Sequence, residues 1–402
     1  MSIFKNYEKL EALTLCFILN FSALSYGING LCEIFLGQGF SWDSLMLYAS
    51  LWALLFLTLC QIRNISKGTL IFLMVFVGSI LLTNVLYPEN TKYLFESTDY
   101  FFEGKIFQLI QFGALVFLIS NNLKTTQYLL EYLRIYSSFI VVLFAIYYVI
   151  ASQRDIKLQY MTYSYDILLP VTVLMLSNIY KGSFWNLALG ALGMFLIIIG
   201  GCRGALISCI ISTVIFFLVY KKQRSFKQVL GLAVIIIIFL LIVVNLDVII
   251  QLIIDILGRF DISSRTLELA MEGAFFEDSG RSILHDYAME NLNFFGYGLF
   301  GDRVLLNGRY VHNLFLEIVV DFGILFGFFI VVSLSYVIFK AIRKANNIEK
   351  LLICILLSAG VFKLMFSSSF LAIEPCFYAV WGYCIRIFSQ KRIGPQKTLD
   401  NY

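Results

Sequence analysis

Apolar runs of roughly 20 residues recur along this chain from end to end, separated by short polar connections. A helix of that length crosses the hydrocarbon core of a bilayer, so the pattern predicts transmembrane helices. We expect about twelve spans, near residues 10–31, 43–62, 69–87, 105–120, 130–151, 164–180, 184–200, 204–220, 228–248, 313–339, 350–371 and 376–389. The expected fold class is all-α: a polytopic membrane protein whose residues 1–402 form a single integral membrane domain.

The composition is that of a membrane protein. Hydrophobic residues make up 60% of the chain and charged residues 14%, and the mean hydropathy is +0.84. The two histidines exclude a polyhistidine metal centre, and the eight cysteines stand singly with no CxxC pair, so neither a disulfide framework nor a zinc site is indicated. The first apolar run leads into further runs without a small-residue cleavage site, so we do not interpret it as a cleavable signal peptide.

Basic residues are concentrated in alternate connections and in the C-terminal tail. This set contains Arg63, Lys67, Lys124, Lys181, Lys221, Lys222, Arg224, Lys227, Lys340, Arg343, Lys344, Lys350, Lys391 and Arg392. The opposite connections are acidic and contain Glu33, Asp43, Glu89, Glu96, Asp99 and Glu103. The positive-inside rule therefore places both termini in the cytoplasm and the acidic connections outside.

The segment 249–312 is the only long hydrophilic stretch, and it falls on the predicted outer side. DISSRTLELAMEGAFF and SGRSILHDYAMENLNFF have helical spacing, and the glycine-rich turn FGYGLFGD follows them. We expect one large extracytoplasmic loop of amphipathic helices that lies on the membrane surface over the bundle. Within it, His285 beside Asp286 is expected to be a solvated surface residue.

A histidine at the mouth of an apolar helix is the first candidate for chemistry. His312 precedes a long apolar run, and Asn313 and Glu317 follow it, with Glu317 expected close to His312 on a helical wheel. Gly323 and Gly327 are four residues apart, which favours close approach by another helix. An imidazole at this position suits acid–base work, although a histidine that only caps the helix or hydrogen-bonds locally explains the same residues.

Four cations fall at the same predicted outer level. Arg203, in GGCRGALIS, lies at a helix start whose glycines leave amides open for an anion; anchoring in lipid headgroups is the alternative. Arg281 lies on a predicted amphipathic helix, and Lys105 begins the fourth span. Lys363 lies inside the eleventh span, where a cation needs an anionic partner or a wet cavity. With His312 they predict an outward-facing cavity for an anionic lipid, and a lipid-linked pyrophosphate fits well.

Two of these motifs resemble the O-antigen ligase and polymerase family, bacterial membrane enzymes that handle undecaprenyl-pyrophosphate-linked glycans. GGCRGALIS is similar to that family's small-residue–Arg–Gly–Ala motif, which opens a helix on the outer face. YVHNLFLEIVVDFGILFG is similar to its His-Asn pair and the broken apolar helix that follows. Arg281, in a Ser-Gly-Arg context, lies between them. The resemblance covers mainly residues 190–335, and Cys202 stands where serine is frequent in the family.

The resemblance implies a metal-independent, inverting glycosyltransferase without a cofactor, on the outer face of the bacterial cytoplasmic membrane. His312, neutral, would take the proton of the acceptor hydroxyl, with Asn313 and Glu317 as supporting residues. Glu317 or a backbone carbonyl would fix the tautomer of His312. The departing pyrophosphate would be bound by Arg203, Arg281, Lys363 and Lys105. The implied partners are an undecaprenyl-pyrophosphate-linked glycan donor and acceptor and membrane lipids, with a chain-length regulator as a further candidate and no nucleic acid.

Three functions fit these features. The first is a polysaccharide polymerase, for O-antigen, capsule or exopolysaccharide, that moves the growing glycan onto a lipid-linked repeat unit. The second is a ligase that attaches glycan to lipid A core or a protein, and the third is a non-enzymatic flippase, which the placement of the special residues at one face disfavours. Residues 255–309 contain five basic and nine acidic residues, a net charge of −4, and such a face repels the phosphate-rich core that a ligase accepts. We therefore prefer the polymerase.

Overall fold

A computed structural model describes residues 2–37, 42–61, 66–95, 105–154, 156, 158–220 and 281–390 of the chain. Helices dominate these residues, and no strand occurs among them, which confirms the all-α prediction. The predicted span 228–248 and residues 249–280 of the large loop lie outside the described residues.

The described helices before residue 160 are α1 (Ser2–Leu19), α2 (Phe21–Leu36), α3 (Asp43–Gln61), α4 (Lys67–Leu86), α5 (Thr91–Leu94), α6 (Lys105–Gln108), α7 (Val116–Asn122) and α8 (Thr126–Gln153). A 3-10 turn, Pro88–Asn90, precedes α5, and a π-helical segment, Leu109–Leu115, joins α6 to α7.

From residue 160 onward the described helices are α9 (Tyr160–Asp166), α10 (Leu168–Lys181), α11 (Phe184–Gly200), α12 (Arg203–Val219), α13 (Arg281–Glu290), α14 (Gly301–Leu305), α15 (Leu314–Lys344), α16 (Asn347–Leu357) and α17 (Pro375–Ser389). α16 continues through a π-helical segment, Ser358–Phe362, and a 3-10 turn, Lys363–Met365. We call residues 363–374, which lead from that turn to α17, the connector.

Four of the described helices are long and apolar enough to cross a membrane: α3, α4, α8 and α15. The bent pair α1–α2 gives a fifth candidate, and α11 and α12 are shorter apolar helices. Other predicted spans are recovered with breaks, because π-helical turns interrupt 105–120 and 350–371 and Ile167 separates α9 from α10. About twelve full-length crossings are therefore not found in the described part of the chain.

The first predicted span, 10–31, is not one straight helix. Its two halves, in α1 and α2, are bent by 61° relative to one another, with Asn20 between them. The Asn20 side chain Nδ2 donates to the Cys16 carbonyl oxygen at 2.9 Å, so a polar side chain bonds to the backbone of the last turn before the bend. The polar residues of α2 therefore lie beyond a bend in an otherwise apolar segment.

α17 lies inside the bundle. Its residues 375–384 are all buried, and the helix packs against α7, α15 and α16. Gly382 permits this because a Cβ added there would lie closer than 3.0 Å to the Phe117 carbonyl oxygen of α7. The Asn121 side chain Nδ2 then donates to the Gly382 carbonyl oxygen at 3.1 Å, which ties the two helices together.

The two ends of α15 differ in charge. His312 precedes the helix, whereas Arg343 and Lys344 lie in its last turn, so these basic residues lie at the end of the bundle opposite His312. At that opposite end Lys350 Nζ donates to the Val219 carbonyl oxygen at 2.9 Å. This distribution is the one that the positive-inside rule requires if His312 lies outside the cytoplasm, and the orientation itself stays a prediction.

The described part of the large loop, 281–312, is docked onto the end of α4 and the segment that follows it. The Asn90 side chain Nδ2 donates to the carbonyl oxygens of Tyr297 and Leu299, at 2.7 and 2.9 Å. The Tyr87 hydroxyl donates to the Gly296 carbonyl oxygen at 2.9 Å, and the Leu299 amide donates to Thr83 Oγ1 at 3.0 Å. The residues leading to His312 are thus fixed to the bundle.

Gly323 breaks α15 close to its start. Its φ of 79° and ψ of 167° are non-helical, so backbone carbonyls on its N-terminal side are released from the helix. The released oxygens of Val320 and Asp321 accept hydrogen bonds from the amides of Tyr297 and Gly298, at 3.0 and 2.9 Å. The prediction that another helix approaches at Gly323 is therefore wrong: the close neighbour is the backbone of the loop at 293–298.

Candidate active site

His312 lies on a turn rather than on a helix. Its φ is 57°, and α15 begins only at Leu314. Asn313 is the N-cap, and its Oδ1 accepts hydrogen bonds from the amides of Phe315 and Leu316 at 3.1 and 3.2 Å. Asn313 therefore orients the turn by capping the helix, and the helical-wheel pairing of His312 with Glu317 is wrong.

The imidazole of His312 is partly enclosed. Its ring centroid lies 3.8 Å from that of Tyr310, at an interplanar angle of 37°. Nδ1 is buried and has no hydrogen-bond partner among the described residues. The pKa of His312 is lowered to about 4. Burial is the largest cause, followed by the positive charge of Arg281 and by the neighbouring His285. The imidazole is therefore neutral at physiological pH, as acceptance of a proton requires.

Arg281 reaches the same turn from α13. Its guanidinium Nη1 donates to the Phe366 carbonyl oxygen of the connector, and its charge acts on His312 as just described. Burial raises the pKa of the Tyr310 hydroxyl, while hydrogen bonds from Ser368 and Ser367 and then the charge of Arg281 oppose that rise. The structure thus brings Arg281 and His312, two of the predicted site residues, together.

His285 also faces this turn. It lies one helical turn after Arg281 on α13, and its Nε2 is 2.7 Å from the Val311 carbonyl oxygen. The expectation of a solvated surface histidine is wrong, because the ring holds the residue before His312. The four-residue spacing between Arg281 and His285 places both on one face of a helix, and that spacing is visible in the sequence.

The start of α12, where Arg203 is the first residue, adjoins this cluster through Phe366. A Cβ added to Gly204 would lie closer than 3.0 Å to the Tyr165 hydroxyl and to the Phe366 side chain. Phe366 therefore contacts the helix end of Arg203 with its side chain and Arg281 with its carbonyl. The amides around Arg203 are not all open as predicted, since that of Gly201 donates to the carbonyls that end α11.

The two lysines are placed differently. Lys363 Nζ lies 2.8 Å from Glu374 Oε1 and 2.9 Å from Oε2, so the anionic partner expected for this cation is a carboxylate of the same connector. The predicted helix through 371 ends at Met365, and Lys363 lies in its last turn. Lys105 begins α6, and no contact among the described residues joins it to Arg281 or His312. Pyrophosphate binding by either lysine stays a prediction.

Three buried carboxyl groups lie beneath the turn: Asp302, Glu317 and Asp321. Asp302 Oδ2 accepts from the Val311 amide at 3.2 Å, and burial raises the pKa of Asp302. Asp321 Oδ1 accepts from the Gly301 amide at 3.0 Å. Glu317 accepts from the Ser369 hydroxyl of the connector, so it does not fix the tautomer of His312. Asp321 and Glu317 thus fasten the loop and the connector to α15, while Asp302 holds Val311 within the loop.

Asp302 and Asp321 were missed as site residues from sequence. The signal was present, because Glu317 and Asp321 are four residues apart in an otherwise apolar helix, and acidic residues inside such helices usually serve a function. Asp302 follows the glycine-rich turn and shows no distinguishing pattern of its own. Its role depends on the fold, which brings it under Val311.

A protein-family model matches the part of the chain that contains this turn and the two arginines. Residues 187–332 match a family model described as O-antigen ligase, in agreement with the expected range 190–335. The matched range includes Arg203, Arg281 and His312 and ends before Lys363. No curated protein matches the chain.

Proposed function

We propose that this chain, whose residues 187–332 match the O-antigen ligase model, is a polysaccharide polymerase of the O-antigen ligase and polymerase family. It transfers the growing glycan from undecaprenyl pyrophosphate to a lipid-linked repeat unit, on the outer face of the bacterial cytoplasmic membrane. The repeat unit belongs to an O-antigen, capsule or exopolysaccharide.

The observation that carries the proposal is a neutral histidine beside an arginine on the turn before α15. In the proposed reaction, the acceptor hydroxyl attacks the anomeric carbon of the donor while the bond from that carbon to the pyrophosphate oxygen breaks. The hydroxyl proton passes to His312, and the electron pair of the broken bond stays on the pyrophosphate. A single displacement inverts the anomeric carbon, and the imidazolium releases its proton to solvent afterwards.

The charge of Arg281 has two effects in this mechanism. Without bound pyrophosphate, it contributes to the lowered pKa of His312. Bound pyrophosphate offsets that charge, so donor binding raises the basicity of the imidazole as the acceptor arrives. Arg281 and Arg203 then stabilise the negative charge that develops on the leaving group, which guanidinium groups do with paired hydrogen bonds and without a metal ion.

Lys363 acts on the same site through the connector in this proposal. Its ion pair with Glu374 fixes the two ends of the segment that contains Phe366 and Ser369. Phe366 accepts from Arg281, and Ser369 donates to Glu317. Lys363 and Lys105 remain candidate contacts for the outer margin of the pyrophosphate.

Charge favours a polymerase over a ligase. The sequence of 255–309 has nine acidic and five basic residues, and a net negative charge repels a phosphate-rich core oligosaccharide within about 8 Å at physiological salt. Asp302 is one of the nine and is buried, so it contributes little to that repulsion. Among the described residues Asp286 and Glu290 are exposed, and so is the basic Arg309.

The test uses the purified full-length protein and one lipid-linked repeat unit, extracted from the producing cells, as both donor and acceptor. We expect a ladder of oligomers with inverted linkages, in the presence of EDTA as well as in its absence. Transfer that appears only after lipid A core is added would identify a ligase. Vesicle translocation of the repeat without any new glycosidic bond would identify a transporter.

A further inference from the structure

A cavity with three acidic side chains in its lining lies beside the candidate active site. It has a volume of about 500 Å³ and is lined by α2, the start of α3, Tyr147 of α8, the end of α9 and Ile373 of the connector. That volume is within the range of about 300–1,000 Å³ that is usual for small-molecule sites. The mechanism proposed above makes no use of it.

The lining of this cavity has one polar helix face and three carboxylates. Ser22, Ser25, Asn29 and Glu33 recur every three or four residues along α2, so they share a face of that helix. Asp43 Oδ1 accepts a hydrogen bond from the Ser25 hydroxyl and another, at 2.6 Å, from Asn29 Nδ2. These two bonds orient the Asp43 carboxylate. Asp166 lies on the other side, and none of the described residues that line the cavity is basic.

Aromatic rings form part of the remaining wall. The ring centroids of Tyr26 and Tyr147 lie 5.7 Å apart in an edge-on arrangement, and both residues line the cavity. Gly30 permits this packing, because a Cβ added there would lie closer than 3.0 Å to the Tyr147 ring. Carboxylates that accept from hydroxyl groups, together with aromatic faces that pack on C–H groups, are the two elements that a sugar ring requires.

The cavity and His312 lie at the same end of the bundle. α3 and α4 are both long enough to cross the membrane, so the residue that starts α3, Asp43, and the residues that follow α4 emerge on the same face. Tyr87 and Asn90, just after α4, bond to the loop that leads to His312. Ligands of the two sites therefore come from the same side of the membrane.

The two sites also share a wall. Asp166 lines the cavity, while the adjacent Tyr165 directs its hydroxyl to Gly204 at the start of α12. Ile373 lines the cavity, and the next residue, Glu374, pairs with Lys363, whose Nζ lies 6.0 Å from the centre of the Tyr165 ring. One layer, formed by the end of α9 and the connector, separates the acidic cavity from the arginines.

We propose that this cavity binds a sugar of the acceptor repeat unit, and that this sugar carries hydroxyl, amino or acetamido groups and no acidic group. The inference rests on the proposed function. The carboxylates repel pyrophosphate and acidic sugars, so the pyrophosphate stays at the arginines on the other side of the wall. A growing chain has no fixed length, whereas a cavity of fixed volume suits the single short repeat of an acceptor.

The test is photocrosslinking in the producing cells, with the full-length His312→Ala protein so that unreacted repeat units remain bound. A benzophenone amino acid replaces Ser22 in the cavity or, as control, Val85, which is 76% exposed on α4 and does not line the cavity. Mass spectrometry identifies the adducts. We expect an adduct with the uncharged or amino sugars of the repeat at position 22 and none at position 85.

Glu33→Gln added to the Ser22 probe should lower the adduct yield about tenfold, the effect of one charge-assisted hydrogen bond. Adducts at position 22 that contain only lipid, or that contain an acidic sugar, would overturn the inference. If the wild-type protein makes polymer and the position 22 adduct lacks glycan, the inference fails while the proposed function stands. If the wild-type protein transfers no glycan at all, both fail together.

Discussion

An alanine at position 323 should detach the His312 loop from α15. Gly323 has φ 79° and ψ 167°, a conformation open essentially to glycine alone, and other residues pay about 1–3 kcal/mol there. A Cβ at this position would also lie closer than 3.0 Å to backbone atoms of Phe294, Phe295 and Gly296. Backbone atoms cannot rotate away as a flexible side chain can, so the loop must move.

Movement of the loop weakens the hydrogen bonds that join it to α15. Four amide–carbonyl bonds cross this contact: Tyr297 to Val320, Gly298 to Asp321, Ile324 to Asn293 and Leu325 to Phe294, at 2.9–3.5 Å. Loss of two to four of them costs about 2–4 kcal/mol at about 1 kcal/mol each. With the conformational cost, the docked loop is destabilised by about 3–7 kcal/mol, enough to leave it mostly detached.

The assay compares glycan transfer and thermal unfolding for Gly323→Ala and two control variants. Gly182→Ala also adds a Cβ at positive φ, 70°, but in the milder left-handed helical region and with nothing within 4 Å, so it measures a backbone cost of about 1–2 kcal/mol without a clash. Gly78→Ala has neither strain nor a clash. We expect transfer to be abolished only in Gly323→Ala. Wild-type transfer and stability in that variant would refute the claim that this contact positions His312.

Four further predictions concern the site and its orientation. Arg281→Lys should lower transfer about 100-fold, because an ammonium keeps the charge and loses the paired hydrogen bonds. Since the pKa of His312 is lowered to about 4, kcat/KM should stay high on acidification and fall only near that pH; in Arg281→Met the fall should begin at higher pH. Lys363→Met should lower the melting temperature, and adding Glu374→Gln to that variant should restore it, because no unpaired carboxylate then remains. A reporter active only outside the cytoplasm should work when fused within 281–312 and be silent within 221–227.

Hydrophobic periodicity located most of the helices but not their breaks. α3, α4, α8 and α15 start and end within a few residues of the predicted limits, because long apolar runs of one period leave little choice. The bend at Asn20 was not predicted, and the break at Gly323 was implied by the family resemblance but not by the apolar pattern. Each depends on which backbone groups find a partner once the helices pack, and an apolar pattern carries no such information.

The candidate site was predictable in membership more than in geometry. Arg203, Arg281 and His312 were proposed from their motifs, and Arg281 lies close enough for its charge to act on His312. Glu317 was assigned to His312 by helical spacing, yet the helix starts two residues after the histidine and Glu317 turns toward Ser369. A cap residue decides where a helix begins, so a wheel drawn from His312, two residues too early, assigns it a helical partner that it does not have.

The polar face of α2 shows the same limitation. Ser22, Ser25, Asn29 and Glu33 have visible helical spacing, but within a single straight span they would face lipid or a neighbouring helix without distinction. The 61° bend directs that face toward Asp43 and Asp166. Tertiary structure, not the local pattern, creates the acidic cavity.

The most direct test of the central claim is a single-turnover measurement of glycan transfer by His312→Ala. Purified wild-type and variant proteins, matched for thermal stability, receive a radiolabelled lipid-linked donor and an unlabelled repeat as acceptor. The account predicts donor binding at wild-type affinity and no transfer above background, because only the proton acceptor has been removed. Transfer by His312→Ala at the wild-type rate would contradict it.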